Sequence, residues 1–146
     1  MPKSKHQNSP ILIDLLIQRF EWMEKEFNFR LSAQVSFRLT RAQLLFMSYL
    51  DDGQDHSSTM SQKLGLTRQA VSQIVKDLED KGIIQQVRDP RKASAKILKT
   101  TAYGKRFVNN ALETLAAIEQ EIAEQIGKRR YASLLNALSA DWDKSD

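Results

Sequence analysis

The segment TRQAVSQIVKDLE, residues 67–79, decides the fold of this chain. Four of its apolar residues recur at the spacing i, i+3, i+4 and i+7, which predicts a helix with one apolar stripe: Val71, Ile74, Val75 and Leu78. Thr67 is placed to cap the N-terminus of this helix. The opposite face carries five polar side chains, none of them a carboxylate: Arg68, Gln69, Ser72, Gln73 and Lys76. Side chains of these types suit hydrogen bonds to guanine, adenine and phosphate.

The residues on either side of this helix complete a larger motif. Residues 60–66 predict a short helix ending in a turn at Gly65, so the two helices form a helix-turn-helix. After Gly82, two β-prone runs, residues 83–88 and 95–100, flank a turn marked by Asp89-Pro90, which predicts a β-hairpin. Helix, turn, helix and hairpin in this order describe a winged helix. The alternatives are a plain surface helix for the polar face and a solubilising loop for the hairpin tip.

Positive charge is concentrated around this motif. Residues 57–106 contain eleven basic and four acidic residues, a net charge of +7, which leaves −3 for the remainder of a chain whose total is +4. A basic segment between acidic flanks is typical of a module that binds a polyanion. An arginine at the tip of a hairpin can reach the narrow, strongly negative minor groove of DNA.

The composition argues against several other classes of protein. The chain has no Cys, which excludes disulfides, thiolate catalysis and Cys-based zinc sites, and its only His residues are His6 and His56. We therefore expect no metal and no cofactor, and we find no nucleophile–base pair or phosphate-binding glycine loop that would indicate an enzyme. The apolar run at residues 11–17 is short and interrupted by Asp14, and no run approaches the roughly 18 apolar residues of a membrane span. We expect a cytoplasmic protein without a membrane partner.

The N-terminal half predicts three helix starts. Residues 1–8 are expected to be a disordered tail, and Ser9-Pro10 predicts the start of an amphipathic helix that ends within residues 29–35. Thr40 and Gln43 form a capping box for the next helix, and Gly53 is expected to stop it. One of three hydroxyl residues is expected to cap the helix before the turn: Ser57, Ser58 or Thr59.

The C-terminal part predicts two more helices. A capping signal at Thr101 opens a helix of roughly seven turns that ends at Gly127, too long to be buried by a small winged helix alone. Apolar residues between Tyr131 and Trp142 predict a last amphipathic helix. We expect residues 9–35 and 101–146 to form a helical dimerisation module around a winged-helix domain at residues 36–100. A dimer would place two recognition helices about one DNA turn apart on a palindrome. The alternative is a monomer with its helical hairpin folded back.

In this arrangement the chain resembles the MarR family of bacterial transcription regulators. The resemblance runs from about Ile11 to Trp142 and rests on LGLTRQAVS (residues 64–72), LEDKGII (78–84), Asp89-Pro90 and TAYG (101–104). It implies a mainly α-helical, homodimeric winged-helix protein that binds double-stranded DNA, usually as a repressor. It also implies that a small molecule, often an aromatic acid, loosens DNA binding from a pocket between the dimerisation and DNA-binding parts.

The chain departs from the family pattern in its wing. Lys92-Ala93-Ser94 stand where the family typically has an Asp and then one or two Arg. The internal ion pair that steadies the wing in relatives is therefore expected to be absent. The lack of Cys removes the thiol switch of peroxide-sensing relatives.

Groove geometry assigns a role to each candidate side chain. Arg68, Gln69, Ser72 and Gln73 are expected to contact base edges, and Thr67 and Lys76 to hold phosphates. Four wing cations are expected to supply phosphate and minor-groove contacts: Arg88, Arg91, Lys92 and Lys96.

Two further hypotheses stay open at this point. Phe20, Trp22, Phe46 and Tyr49 are candidates for lining an effector pocket, although aromatic residues at helical spacing more often belong to a core. The alternative function is a winged helix that serves as a protein-interaction or scaffold module without sequence-specific DNA binding. The charge of residues 57–106 and the acid-free helix face argue against that alternative.

Overall fold

The computed structural model describes residues 10–143 and confirms a mainly helical chain with a winged helix. Its elements follow in the order α1 (Leu12–Leu31), α2 (Arg41–Tyr49), α3 (Ser57–Leu64), α4 (Arg68–Asp80), β1 (Ile84–Asp89), β2 (Lys92–Thr100), α5 (Ala102–Ile126) and α6 (Lys128–Ser139). None of these helices is both long enough and apolar enough to cross a membrane.

The α4 helix forms as its sequence predicts. All four residues of the apolar stripe are buried, and they pack in one core with residues of α1, α2, α3, both strands and α5. The Thr67 Oγ1 accepts a hydrogen bond from the Ala70 N–H at 3.1 Å, which satisfies one of the free donors at the helix start. Gly65 ends α3 in the left-handed region at φ +62°, a conformation that glycine adopts without strain. This turn fixes α4 against α3.

The wing is a two-stranded antiparallel hairpin whose second strand begins earlier than predicted. Ile84 pairs with Thr100, and the register continues to Arg88 opposite Lys96. An irregularity then follows, and Asp89 pairs with Lys92. Residues 92–94 therefore belong to β2 and not to the turn, which leaves Pro90 and Arg91 alone at the tip.

A tight junction joins the end of α4 to the start of α5. The Thr101 Oγ1 accepts from the Gly104 N–H at 2.8 Å and donates to the Gly82 carbonyl oxygen at 2.5 Å, which confirms the predicted cap. A Cβ at Gly104 would lie only 1.9 Å from the Ile83 carbonyl oxygen. Only glycine lets α5 approach the start of β1 this closely.

Three predicted helix ends differ from the structure. The first described turn of α1 has Ile11 as its N-cap, so the predicted start at Pro10 is wrong, while Ser9 and the predicted tail lie outside the described residues. The N-cap of α3 is His56, and Ser57 is already the first helical residue, so none of the three hydroxyl residues caps that helix. Finally, α2 ends at Tyr49 and not at the predicted stop, Gly53. Gly53 belongs to the following turn, where its N–H donates to the Leu98 carbonyl oxygen.

The α1, α5 and α6 helices are less completely buried than the winged helix. Arg30 of α1 donates to both carboxylate oxygens of Glu121 on α5, at 2.9 and 2.6 Å, which lowers the pKa of the Glu121 carboxyl. Phe27 and Leu31 are the only buried residues of α1, and α6 has none within the described part of the chain. Large apolar side chains of α1 and α6 therefore face solvent in the single chain: Leu12, Ile13, Ile17, Leu134, Leu135 and Leu138.

Candidate nucleic-acid interface

The polar face of α4 is fully presented to solvent. The apolar stripe on the other side of the helix is buried. All five predicted polar side chains are therefore exposed: Arg68, Gln69, Ser72, Gln73 and Lys76. The structure therefore brings these five residues together on one face, beginning at the N-terminus of the helix. Backbone N–H groups at that end favour a phosphate.

Most of these side chains have no partner within residues 10–143. The side chains of Arg68, Gln69, Ser72 and Lys76 make no hydrogen bond or ion pair there. Gln73 differs, because its Nε2 donates to the Asp77 Oδ1 at 2.8 Å, one turn along the helix. That bond orients the Gln73 amide and leaves its Oε1 as a free acceptor within the described chain. Thr67 is exposed as well, although its hydroxyl oxygen already serves as the helix cap.

Two wing cations face each other without a neutralising group among the described residues. Arg88 and Lys96 are cross-strand partners, and both side chains are exposed. Like charges directly opposite in a hairpin are destabilising, and an anion between them removes that repulsion. Lys92 is also exposed and lies opposite Asp89 in the register. The hairpin therefore presents two exposed cations side by side, a charge arrangement that suits an anion.

The fourth wing cation, Arg91, is bound to the protein itself. Its backbone N–H and its Nε donate to the Asp89 Oδ1, at 2.8 and 3.2 Å, and its Nη1 donates to the Gln54 Oε1 at 3.1 Å. The ion pair expected to be absent, which would need an Asp at position 92, cannot form because Lys92 stands there, but Asp89 and Arg91 make a different ion pair within the wing.

Asp89 is the centre of this network, and it is only 2% exposed. The backbone hydrogen bond from Arg91, with further hydrogen bonds from His56 and the Arg91 side chain, lowers the pKa of the Asp89 carboxyl to about 2. The carboxylate is therefore charged at neutral pH although it is buried.

Sequence reasoning missed three residues that position this surface. His56 Nε2 lies 2.7 Å from the Asp89 Oδ2, and Lys63 Nζ lies 2.6 Å from the buried Asp55 Oδ2. The Asp55 carbonyl oxygen also accepts from the Leu98 N–H at 2.8 Å, so the segment before α3 is tied to β2. No periodicity signals such pairs. The one available hint was a lone histidine beside a predicted helix start.

The four candidate effector-pocket residues are not brought together in one cavity. Phe46 is completely buried in the core, while Trp22 and Tyr49 are 46% and 54% exposed. Phe20 is exposed and stacks under the guanidinium of Arg41, whose Cζ lies 4.9 Å from the ring centroid.

Two shallow clefts lie elsewhere on the described surface. The first, of about 330 Å³, is lined by Met47, Leu50, Asp52, Thr100, Lys105, Val108 and Asn109. The second, of about 350 Å³, is lined by Glu21, Glu24, Lys25, Asn28, Phe29, Arg38 and Leu39. Neither contains any of the four predicted aromatic residues.

Comparison with known proteins agrees with this geometry. The MarR family model matches residues 39–93, which contain α2, α3, α4 and most of the hairpin. Residues 39–93 are therefore similar in sequence to the MarR family over the helix-turn-helix and most of the wing. A search of curated proteins found no match.

The fold of MarR-type regulators extends beyond the matched segment. The transcriptional repressor CouR, solved on a 23-mer DNA duplex, superposes with a TM-score of 0.68 at 21% identity, over 88% of this chain and 90% of that one. Wild-type MarR from E. coli in its apo form gives 0.70 at 17% identity, over 90% and 96%. MepR, a regulator of the multidrug efflux pump MepA in Staphylococcus aureus, gives 0.67 at 21% identity, over 89% and 98%. At these identities the likeness establishes a shared fold.

Proposed function

We propose that this chain is a transcriptional repressor that binds a pseudo-palindromic operator in double-stranded DNA as a homodimer. The observation that carries the proposal is the α4 face. Five exposed polar side chains without a carboxylate among them start at a helix N-terminus, next to a hairpin with cations of its own. An α-helix fits the major groove of DNA, where Arg and Gln distinguish guanine and adenine.

In this proposal α4 and the wing make different contacts with DNA. Arg68, Gln69, Ser72 and Gln73 contact base edges, while Thr67 and Lys76 hold the flanking phosphates. Arg88, Lys92 and Lys96 bind the phosphate backbone of the DNA beside the groove. Arg91 enters the minor groove only if its guanidinium leaves Gln54, because the two are hydrogen-bonded at 3.1 Å.

The homodimer rests on the apolar side chains that α1 and α6 leave exposed. Ile13, Ile17, Leu135 and Leu138 are each between 44% and 57% exposed. Exposed apolar surface of this extent is typical of an interface. A two-fold dimer presents two α4 helices to two half-sites. Release of DNA by a small aromatic effector stays a prediction from the family resemblance.

The test is selection of DNA from a random duplex pool with the purified full-length chain. We expect enrichment of a pseudo-palindrome with half-sites about 10 base pairs apart. Arg68→Ala should weaken binding to the selected sequence by about 1–3 kcal/mol. Arg38→Ala is the matched control, because it removes the same charge from an exposed position outside the basic segment 57–106. A pool that stays random would refute the proposal and favour the protein-interaction module.

A further inference from the structure

The polar face of α4 contains no carboxylate of its own, but one acid is bonded to it. The Asp77 Oδ1 accepts from the Gln73 Nε2 at 2.8 Å, one turn along the helix. The other acids of α4 are Glu79 and Asp80. The Glu79 Oε1 accepts from the backbone N–H of Gln86 at 3.1 Å and so ties α4 to β1. Asp77 is therefore the acid of α4 that acts on a predicted base-contact residue.

The Asp77 carboxylate has no other side-chain partner within residues 10–143. It is half-buried, while Gln73 is exposed. A Gln–Asp bond between residues four apart stabilises a helix only slightly. A negative charge on a helix that approaches phosphates also lowers affinity for DNA. The contact with Gln73 is therefore the specific interaction that Asp77 makes.

This bond fixes which end of the Gln73 amide is left for a ligand. A free glutamine amide turns over and offers either its NH₂ donors or its carbonyl acceptor. A carboxylate only accepts, so Asp77 binds Nε2 and excludes Oε1. Hydrogen bonds to a carboxylate are roughly twice as strong as those between neutral groups, which opposes the turnover. Gln73 Oε1 then remains the unpaired group of this amide within the described chain.

The four bases differ in what they offer to such an acceptor. In the major groove, adenine N6 and cytosine N4 are donors, whereas guanine O6 and thymine O4 are acceptors. A fixed Oε1 therefore binds an exocyclic amino group and is repelled by a base oxygen. The second hydrogen of Nε2 also remains available for adenine N7. With its amide held in this way, Gln73 accepts adenine or cytosine and rejects guanine and thymine.

We propose that Asp77 is a specificity-determining positioning residue, which holds the Gln73 amide so that one base of each half-site is read through its exocyclic amino group. The proposal rests on the proposed DNA-binding function and on base contact by Gln73. Asp77 itself touches no base. Removal of its carboxylate frees the amide to turn over, and Gln73 then also donates to guanine or thymine.

The experiment uses fluorescence anisotropy of labelled duplexes with the full-length chain. The duplexes carry each of the four bases at the position where Gln73→Ala changes the sequence preference, altered in both half-sites. We expect the wild type to bind the adenine or the cytosine duplex at least about five-fold more tightly than the guanine and thymine duplexes, the low end for a good side chain–base pair. Asp77→Ala should bring this ratio close to one. Alanine is a good helix former, so the variant keeps α4.

Asp80→Ala is the matched control, because it removes the same charge from an exposed position of the same helix. Both variants should bind all DNA more tightly than the wild type, since each removes a negative charge, but only Asp77→Ala should change the base ratio. Asp77→Ala in a Gln73→Ala background separates positioning from direct contact. In that background the base ratio should not change further.

Several results would overturn the proposal. They are an unchanged base ratio in Asp77→Ala, a wild-type preference for guanine or thymine, and a Gln73→Ala chain with wild-type preference at every position. A change caused by Asp77→Ala in the Gln73→Ala background would overturn it as well, because Asp77 would then accept directly from cytosine N4. A wild-type chain that binds no DNA, or binds all sequences equally, would instead refute the proposed function itself.

Discussion

The winged helix and the helical module of α1, α5 and α6 differ in how completely one chain buries their apolar side chains. In the winged helix, the apolar stripe of α4 is buried within one chain, with Val71 and Leu78 at 0% exposure. In the module, α6 buries none of its described residues, and Leu135 is 46% exposed. Residues of α1 and α5 complete the core around α4, whereas the stripe of α6 stays open. The open stripe of α6 requires a second surface, and we propose that a second copy of the chain supplies it.

Breaking the winged helix at its tightest junction should have the largest effect. Gly104→Ala places a Cβ 1.9 Å from the Ile83 carbonyl oxygen, so α5 has to move away from β1. We expect a loss of more than about 4 kcal/mol in the free energy of unfolding, enough to leave the chain largely unfolded. Circular dichroism during thermal and urea denaturation measures it. Gly53→Ala meets no atom within 4 Å, so it should lose only the roughly 1–2 kcal/mol that its φ of +74° imposes on alanine, and it should stay folded. Equal melting temperatures for both variants would show that the junction is not as tight as described.

If α6 lies in the proposed dimer interface, a charge on its open stripe should weaken self-association and leave the winged helix folded. Leu138→Asp puts a charge on the open stripe of α6, and we expect self-association to weaken by about 2 kcal/mol or more. Analytical ultracentrifugation across a concentration series measures this. Leu45→Asp on α2 is the matched control, because the two leucines are 44% and 42% exposed. Equal self-association of both variants would remove α6 from the interface.

Substitutions on α4 and on the wing should weaken DNA binding in different ways. Gln73 lies on the α4 face with its amide oriented by Asp77, so Gln73→Ala should cost about 1–3 kcal/mol against one base pair and change the preferred sequence there. Binding to a panel of single-substitution operators measures it, with Gln18→Ala on α1 as the control. A loss of the same size on every sequence would contradict base contact by Gln73.

A wing cation should instead weaken binding uniformly. Lys96 faces Arg88 across the hairpin, and Lys96→Ala should lower affinity on all DNA and reduce the slope of log affinity against log salt by about one. Salt titrations on operator and random DNA measure both effects. Lys128→Ala on α6 should leave the slope unchanged, and an unchanged slope in Lys96→Ala would exclude Lys96 from the footprint.

The smallest expected effect is on the acid stability of the wing. The pKa of Asp89 is lowered from 3.8 to about 2 in the folded chain, so its contribution to stability is present above pH 4 and disappears as the pH falls to about 2. Asp89→Asn should therefore show a shallower loss of stability between pH 4 and 2 than the wild type does. Urea denaturation at each pH measures the slope for the variant and for the wild type. Parallel slopes for Asp89→Asn and the wild type would mean that the buried charge contributes nothing.

Local signals explain which parts of this structure the sequence could predict. The stripe of α4, the Thr40–Gln43 capping box and the Thr101 cap depend on residues three to four positions apart, and all three form. The order of helices and wing follows from such signals taken together.

Long-range contacts explain what could not be predicted. His56 and Asp89 meet only because the wing folds back over α3. The position of Phe46 could not be predicted either. Helical spacing of aromatic residues is compatible with a pocket and with a core, and Phe46 lies in the core. Roles at the DNA surface depend on a partner that the chain alone does not contain.

The most direct test of the central claim is the mass of the protein–DNA complex, measured by sedimentation or light scattering on a duplex from the protein's own upstream region or from the selected pool. The account predicts two copies of the chain on one duplex, with binding that withstands salt better on that duplex than on random DNA. One copy per duplex, or equal salt sensitivity on both DNAs, would contradict the claim that the open faces of α1 and α6 pair two copies to present two α4 helices to a palindrome.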